Sequence, residues 1–233
     1  MKTTISTDVR NLFPETKIAV LKGQISGLKG DFNNTLADLR GDALGRAKSS
    51  LATYDPMTGH PNIKSWREAY KAFGASPKKF KPTHEAYVRR VARSEEWPAP
   101  ICPIVDLYLV NQVDHLLPHG GYDLDSLVGD VELIRASGGE IFEPLGGGQE
   151  SVEAGEVVYR DEGGVLTRRW NYRDCDRTKI TAETKHFALM IESPSAQISS
   201  ALIEAATQSL QEKFEMCFDG EFNSEFVTAE LAK

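Results

Sequence analysis

The hydrophobic period changes once along this chain of 233 residues, around Pro118-His119-Gly120-Gly121. Upstream of that point apolar residues recur at spacings of three and four, as on a helix that buries one face. Phe32, Leu36, Leu39 and Ala43 predict a helix over residues 31–51, and Ile63, Trp66, Tyr70 and Phe73 predict a second that Gly74 stops. Tyr87 and Val91 share a face of a third, running from a Thr83 cap through Arg93, and Pro103 opens a strongly apolar fourth that reaches residue 117. One early strand, residues 17–25, has Ile18 and Val20 among lysines, and residues 55–61 form a loop. Downstream the period shortens to that of strands, over Val131–Arg135 and residues 156–160, 165–169 and 186–191. Glycine-rich breaks separate them, notably Leu145-Gly146-Gly147-Gly148, and a last helix covers residues 198–214. Helices gathered before strands give an α+β class: a helical N-terminal half packed on a compact, β-sandwich-like core. Residues 1–233 fit one domain, with no internal repeat, and the tail after Asp219-Gly220 has no clear pattern.

Composition narrows the partners. No apolar run approaches the roughly 20 residues that span a bilayer, so no membrane partner is expected. The opening Met-Lys-Thr-Thr-Ile-Ser-Thr-Asp turns polar too early for a secretory signal. Cys102, Cys175 and Cys217 are odd in number and lack metal-ligand spacing, which fits a reducing compartment and a cytoplasmic expectation. A net charge of -7 weighs against a protein that coats nucleic acid, and DNA is not expected as a partner. It leaves room for local recognition of an RNA end. Lys78, Lys79, Lys81, Arg89, Arg90 and Arg93 form a basic cluster interrupted only by Glu85.

The densest group of recognition side chains is Leu166-Thr167-Arg168-Arg169-Trp170-Asn171-Tyr172-Arg173-Asp174, directly after the hairpin-like Asp161-Glu162-Gly163-Gly164. Arginine forks hold carboxylate or phosphate through paired hydrogen bonds, and aromatic faces stack on bases or wall a pocket. Asp106 and Asn111 sit on the apolar fourth helix and need partners there, Asp106 being a candidate mate for Arg168, Arg169 or Arg173. Glu183 and Thr184 fall at the mouth of a core strand, where a carboxylate can orient water. Gly146-Gly147-Gly148 lacks the Lys-Ser/Thr of a phosphate cradle, and Pro118 breaks the helix that would pair His115 with His119 on a metal. Ser195 and Ser199 lack a nucleophile-elbow context. Neither a metal nor a cofactor is expected.

Six motifs in order resemble the tRNA-binding and editing module of the phenylalanyl-tRNA synthetase beta subunit, in its free-standing relatives. They are Trp66-Arg67-Glu68-Ala69-Tyr70 with Phe73-Gly74; Val105-Asp106-Leu107-Tyr108; Gly121-Tyr122-Asp123-Leu124-Asp125; Gly155-Glu156-Val157-Val158-Tyr159; Arg168-Arg169-Trp170-Asn171-Tyr172-Arg173; and Thr181-Ala182-Glu183-Thr184. The likeness spans about residues 17–192. It implies an α+β editing-type domain that hydrolyses mischarged aminoacyl-tRNA in trans, with the aminoacylated acceptor end and its amino acid as partners. No nucleotide-binding motif for charging tRNA accompanies it. The resemblance makes Glu183 the catalytic group. It draws the substrate site from Asp106, Gly121, Tyr122, Asp123, Arg168, Arg169, Trp170, Asn171, Arg173 and Thr184. Lys79 and Arg90 are expected to touch tRNA. The family histidine is one place out of register at His119, with Gly120 at the matching position. A glycine-rich pocket wall is replaced by Arg168-Arg169-Trp170-Asn171. A module that binds tRNA or an amino acid without chemistry is the alternative.

Overall fold

The computed structural model describes residues 1–94 and 96–229. In chain order the strands are β1 (Thr3–Ile5), β2 (Lys17–Leu28), β3 (His119–Asp123), β4 (Val131–Arg135), β5 (Ile141–Phe142) and β6 (Glu150–Ser151). They continue as β7 (Val157–Asp161), β8 (Gly164–Arg168), β9 (Arg173–Asp174), β10 (His186–Ser193) and β11 (Phe218–Thr228). The helices are α1 (Thr7–Leu12), α2 (Phe32–Leu51), α3 (Pro61–Ala72), α4 (Thr83–Ser94), α5 (Pro103–His115) and α6 (Ser200–Cys217).

Local chemistry sets most boundaries. Asp31 accepts the Asn34 backbone N–H at 3.2 Å to start α2, and Ser199 accepts that of Leu202 at 3.2 Å to start α6. Pro61 and Pro103 open α3 and α5, where a missing N–H costs nothing. The α5 helix stops at Leu116, which turns left-handed with φ 52°. Thr83 is the first residue of α4.

The strands form two principal sheets. One runs β1-β4-β7-β8-β9, antiparallel except for the parallel β1–β4 pair; the other runs β11-β2-β10-β3 and is antiparallel throughout. Side chains link them across a shared interior: Tyr159 of β7 bonds Glu192 of β10, and Tyr122 of β3 bonds Thr167 of β8. The α+β, sandwich-like expectation therefore holds, but the halves interleave. Strand β2, from the helical half, lies between β11 and β10, with Ile18, Ala19, Val20 and Leu21 all buried.

Two expectations need correction. Pro118 to Gly121 is more than a helix stop, because His119 opens β3 against β10. Gly121 makes that pairing possible: any side chain there would collide with Leu189 and the Ala188 carbonyl. The segment after Gly220, which had no clear pattern, continues as the edge strand β11 to Thr228, paired with β2; residues 230–233 lie outside the described residues.

Candidate functional site

Strand β8 ends at Arg168, and the chain then reverses through two consecutive left-handed residues, Arg169 (φ 46°) and Trp170 (φ 67°). Side chains other than glycine's rarely adopt this backbone, so it persists only where surrounding bonds impose it. Four do. Arg169 N–H donates to Glu156 Oε1 (3.0 Å) and Trp170 N–H to the Val157 carbonyl (2.6 Å). Asn171 N–H donates to the Arg169 carbonyl (2.8 Å) and Tyr172 N–H to that of Arg168 (3.0 Å). The reversal drives Trp170 into the interior, edge-on to Phe13 and Trp66 with ring centroids 5.0 Å apart in each pair.

Trp170 there meets a buried carboxyl. Its Nε1–H donates to Glu192 Oε1 at 2.8 Å, the Tyr159 hydroxyl donates to the same oxygen, and Asn171 Nδ2 donates to Oε2 at 3.3 Å. Asn171 is oriented in turn by the Tyr70 hydroxyl, which donates to its Oδ1 at 2.8 Å. Three donors favour ionised Glu192, yet dehydration outweighs them, and with the charge of Asp174 it pushes the carboxyl up to about 7. Asp174 is also held above the usual carboxylate range by dehydration, against the Thr167 hydroxyl that donates to it at 2.7 Å. With that proton committed, the Tyr122 hydroxyl is the donor to Thr167 Oγ1 at 2.7 Å.

Glu192 and Asp174 line one cavity of about 50 Å3 between the sheets, walled by Tyr122, Tyr159, Trp170 and Met190 and bordered by Thr83 and Tyr172. Among the described residues no lysine or arginine lines it. His119 does, but as a neutral ring: Nδ1–H donates to the Leu117 carbonyl at 2.9 Å and Nε2 accepts from Asn111 Nδ2 at 2.8 Å. Burial holds its pKa down to about 3. The arrangement can take up a proton near neutrality, donate hydroxyl hydrogen bonds and accept a small cationic group.

Of the residues expected from sequence, Tyr122, Trp170 and Asn171 meet in this cavity. Arg168 and Arg169 do not. They are buried and held by carboxylates, Arg168 by Glu156 and Glu150 (2.7 Å each) and Arg169 by Glu153 (3.3 Å) and Glu156 (3.7 Å). Arg173 pairs with Glu150 at 2.7 Å. Asp106, proposed as a mate for one of these arginines, is taken by Arg40 at 3.2 Å and by the Ile101 N–H. Gly121 serves strand packing, and the Thr184 hydroxyl donates to Asp123 at 2.6 Å.

Glu183 lies at the mouth of β10 as expected, but not on this cavity. It is exposed in the turn before β10, whose neighbours Thr181, Ala182 and Thr184 line a separate groove with Ile25, Ile104 and Phe218. The residues that sequence reasoning missed are Glu192, Tyr159 and Asp174. One signal was available: Glu192 ends the otherwise apolar run Phe187-Ala188-Leu189-Met190-Ile191. A carboxylate continuing so apolar a strand requires buried partners.

The cavity's border continues into the basic cluster. The Phe80 ring lies 5.2 Å from Tyr172, with the Arg169 guanidinium 3.7 Å above it. Lys78, Lys79, Arg90 and Arg93 are exposed, and no ion pair reaches them among the described residues. Glu85, the one acid between them, is buried and binds Arg67 at 2.9 Å and Arg89 at 3.1 Å, which removes Arg89 from the free set. Among the described residues no cluster of three or more His, Cys, Asp or Glu could hold a metal, and no helix is long and apolar enough to cross a membrane.

Comparison with known proteins gives a family match: the profile of the B3/4 domain aligns with residues 65–215. No curated protein sequence matches. Among solved structures, an N-terminal fragment of the phenylalanyl-tRNA synthetase beta subunit from Pyrococcus horikoshii aligns with 95% of this chain at 11% identity and a TM-score of 0.42. The chain spans 50% of that fragment's length.

Proposed function

The chain belongs to the B3/4 domain family, and on that premise we propose a tRNA-related role: it hydrolyses mischarged aminoacyl-tRNA in trans and does not itself charge tRNA. The observation that carries this reading is the inter-sheet cavity, where a buried carboxyl with a pKa of about 7 lies near a strip of exposed basic side chains. An aminoacyl ester is already activated, so its hydrolysis needs a positioned water, a base poised near neutrality and donors for the developing oxyanion.

In this scheme Glu192 takes a proton from water as the water oxygen bonds to the ester carbonyl carbon. The bond from that carbon to the terminal ribose oxygen then breaks, and the proton passes to the ribose oxygen. In the resting site the Tyr122 and Tyr159 hydroxyl protons are held by Thr167 and Glu192, and they turn to the developing oxyanion as the water attacks; Asp174 faces the α-ammonium, and Trp170 walls the amino-acid side chain. Lys79 and Arg90, with Lys78 and Arg93, neutralise phosphates of the acceptor arm. Arg168, Arg169, Arg173 and Asp106 act through their ion pairs as scaffold. Glu183, with the braced pair Asp123 and Thr184, stands at the periphery. The three donors that engage Glu192 also favour a second reading, a module that binds tRNA or an amino acid without chemistry.

A deacylation panel over mischarged tRNAs decides between them. The wild type is expected to release an amino acid from at least one member. Glu192→Gln should slow that turnover by a factor on the order of a hundred or more, and Glu183→Gln should leave it essentially unchanged. Spontaneous hydrolysis alone, with tRNA still bound, establishes the binding module. Loss of turnover in Glu183→Gln with full turnover in Glu192→Gln returns the catalytic role to the exposed turn.

A further inference from the structure

The size of the cavity limits the substrate, an inference that rests on the deacylase reading above. The space it leaves is about 50 Å3. An apolar cavity that admits benzene is about 150 Å3, three times larger. The limit is set by Trp170. The left-handed reversal points its indole inward, Phe13 and Trp66 hold it edge-on, and Glu192 accepts its Nε1–H at 2.8 Å. Phe73 lies 6.5 Å away on the same cluster. With no exposed surface left, the indole has nowhere to swing.

What remains open is bounded by the hydroxyls of Tyr122, Tyr159 and Thr167, the carboxyls of Glu192 and Asp174, and the thioether of Met190. Such a lining suits an ammonium group and a side chain no bigger than a methyl or hydroxymethyl group. We infer that the aminoacyl group removed by this protein is a small one, glycyl, alanyl or seryl, and that Trp170 is the specificity-determining residue that shuts out aromatic and large branched side chains.

The test uses the full chain and one tRNA acceptor end charged in turn with glycine, alanine, serine, valine, leucine, phenylalanine and tyrosine. It reads deacylation, and in parallel binding of the matching 3′-amide analogues, which cannot be cleaved. The small esters are expected to turn over at least about tenfold faster than the phenylalanyl and tyrosyl esters, the scale on which pockets discriminate by size. Met190→Ala, which removes side-chain volume from the cavity lining, should narrow that ratio. If phenylalanyl or tyrosyl esters are cleaved as fast as alanyl ones, the size inference is overturned while the deacylase reading stands. If no ester is cleaved but the small amides bind best, the reading of catalysis falls and the size limit survives. If all amides bind equally or none binds, the size inference falls as well. Should Met190→Ala fail to fold, the wild-type panel alone decides.

Discussion

Two stretches of this molecule carry similar side chains in opposite settings. Residues 168–174 and residues 78–93 both mix arginine or lysine with aromatics. In the first, every arginine is committed: Arg168 and Arg169 are buried against Glu150, Glu153 and Glu156, and Arg173 pairs with Glu150. In the second, the single acid is buried under Arg67 and Arg89, leaving Lys78, Lys79, Arg90 and Arg93 in solvent. An arginine inside a folded domain is bound to its own carboxylates because an unpaired buried charge is too costly to keep. A ligand's phosphate can be met only by charges that folding left free. The richest run of recognition residues is therefore scaffold for a carboxyl site, and the plainer segment is the one that presents free charge to solvent.

The sharpest way to break this contrast is to remove a charge from the interior stretch. Arg168→Met strips Glu156 of its two short guanidinium bonds and leaves it the 3.7 Å contact with Arg169, and destabilisation of about 3 kcal/mol is expected in chemical denaturation. A loss below about 1 kcal/mol would mean that the ion pair is solvated and Arg168 is available to ligands.

Next in size is the proton equilibrium of Glu192. Its folded pKa of about 7 lies above the ordinary 4.5, so between those values the folded state binds more protons than the unfolded one. Its stabilising contribution is complete below pH 4.5 and disappears as pH rises through 7. The gap between wild type and Glu192→Gln should therefore move against the wild type, by on the order of 3 kcal/mol, as pH goes from about 4.5 to about 7. The difference also cancels the opposite contributions of His84 and His119, whose pKa values are both lowered to about 3 by burial. A gap independent of pH would place Glu192 in contact with water.

The smallest effect belongs to the exterior stretch. Lys79→Glu with Arg90→Glu should leave stability within about 0.5 kcal/mol. It should weaken tRNA binding and reduce its salt slope by roughly one unit per lost phosphate contact. An unaltered slope would make the cluster a solvated face and erase the contrast.

Much of the helical framework was legible because it follows from neighbours along the chain. The Ile63, Trp66 and Tyr70 stripe, the proline at the start of α5 and the alternation over Val131–Arg135 all report local periodicity, and the elements lie there. Strand β3 was hidden by Gly120 and Gly121, which read as breakers, although Gly121 is small because β10 comes so close. Strand β11 was hidden for another reason. Its Phe218, Phe222 and Phe226 share one face opposite Asp219, Glu221, Asn223 and Glu225, but Gly220 and Ser224 between the phenylalanines dilute that alternation, and pairing along β2 completes the strand.

The sequence by itself determined the α+β class, most of the helices, the family likeness and the chemistry of the run from Arg168 to Asp174. Each is stored in residue types and in spacings of a few positions, which the backbone converts directly into a local period or cap. Only the tertiary structure decided what those groups do. It set Glu192 beneath Trp170 and Tyr159, gave Arg168 to Glu156 and Glu150 and Asp106 to Arg40, and left Glu183 in solvent. The physical reason is that a carboxyl's role follows from its dehydration and its donors, and both arrive from strands far apart in the chain.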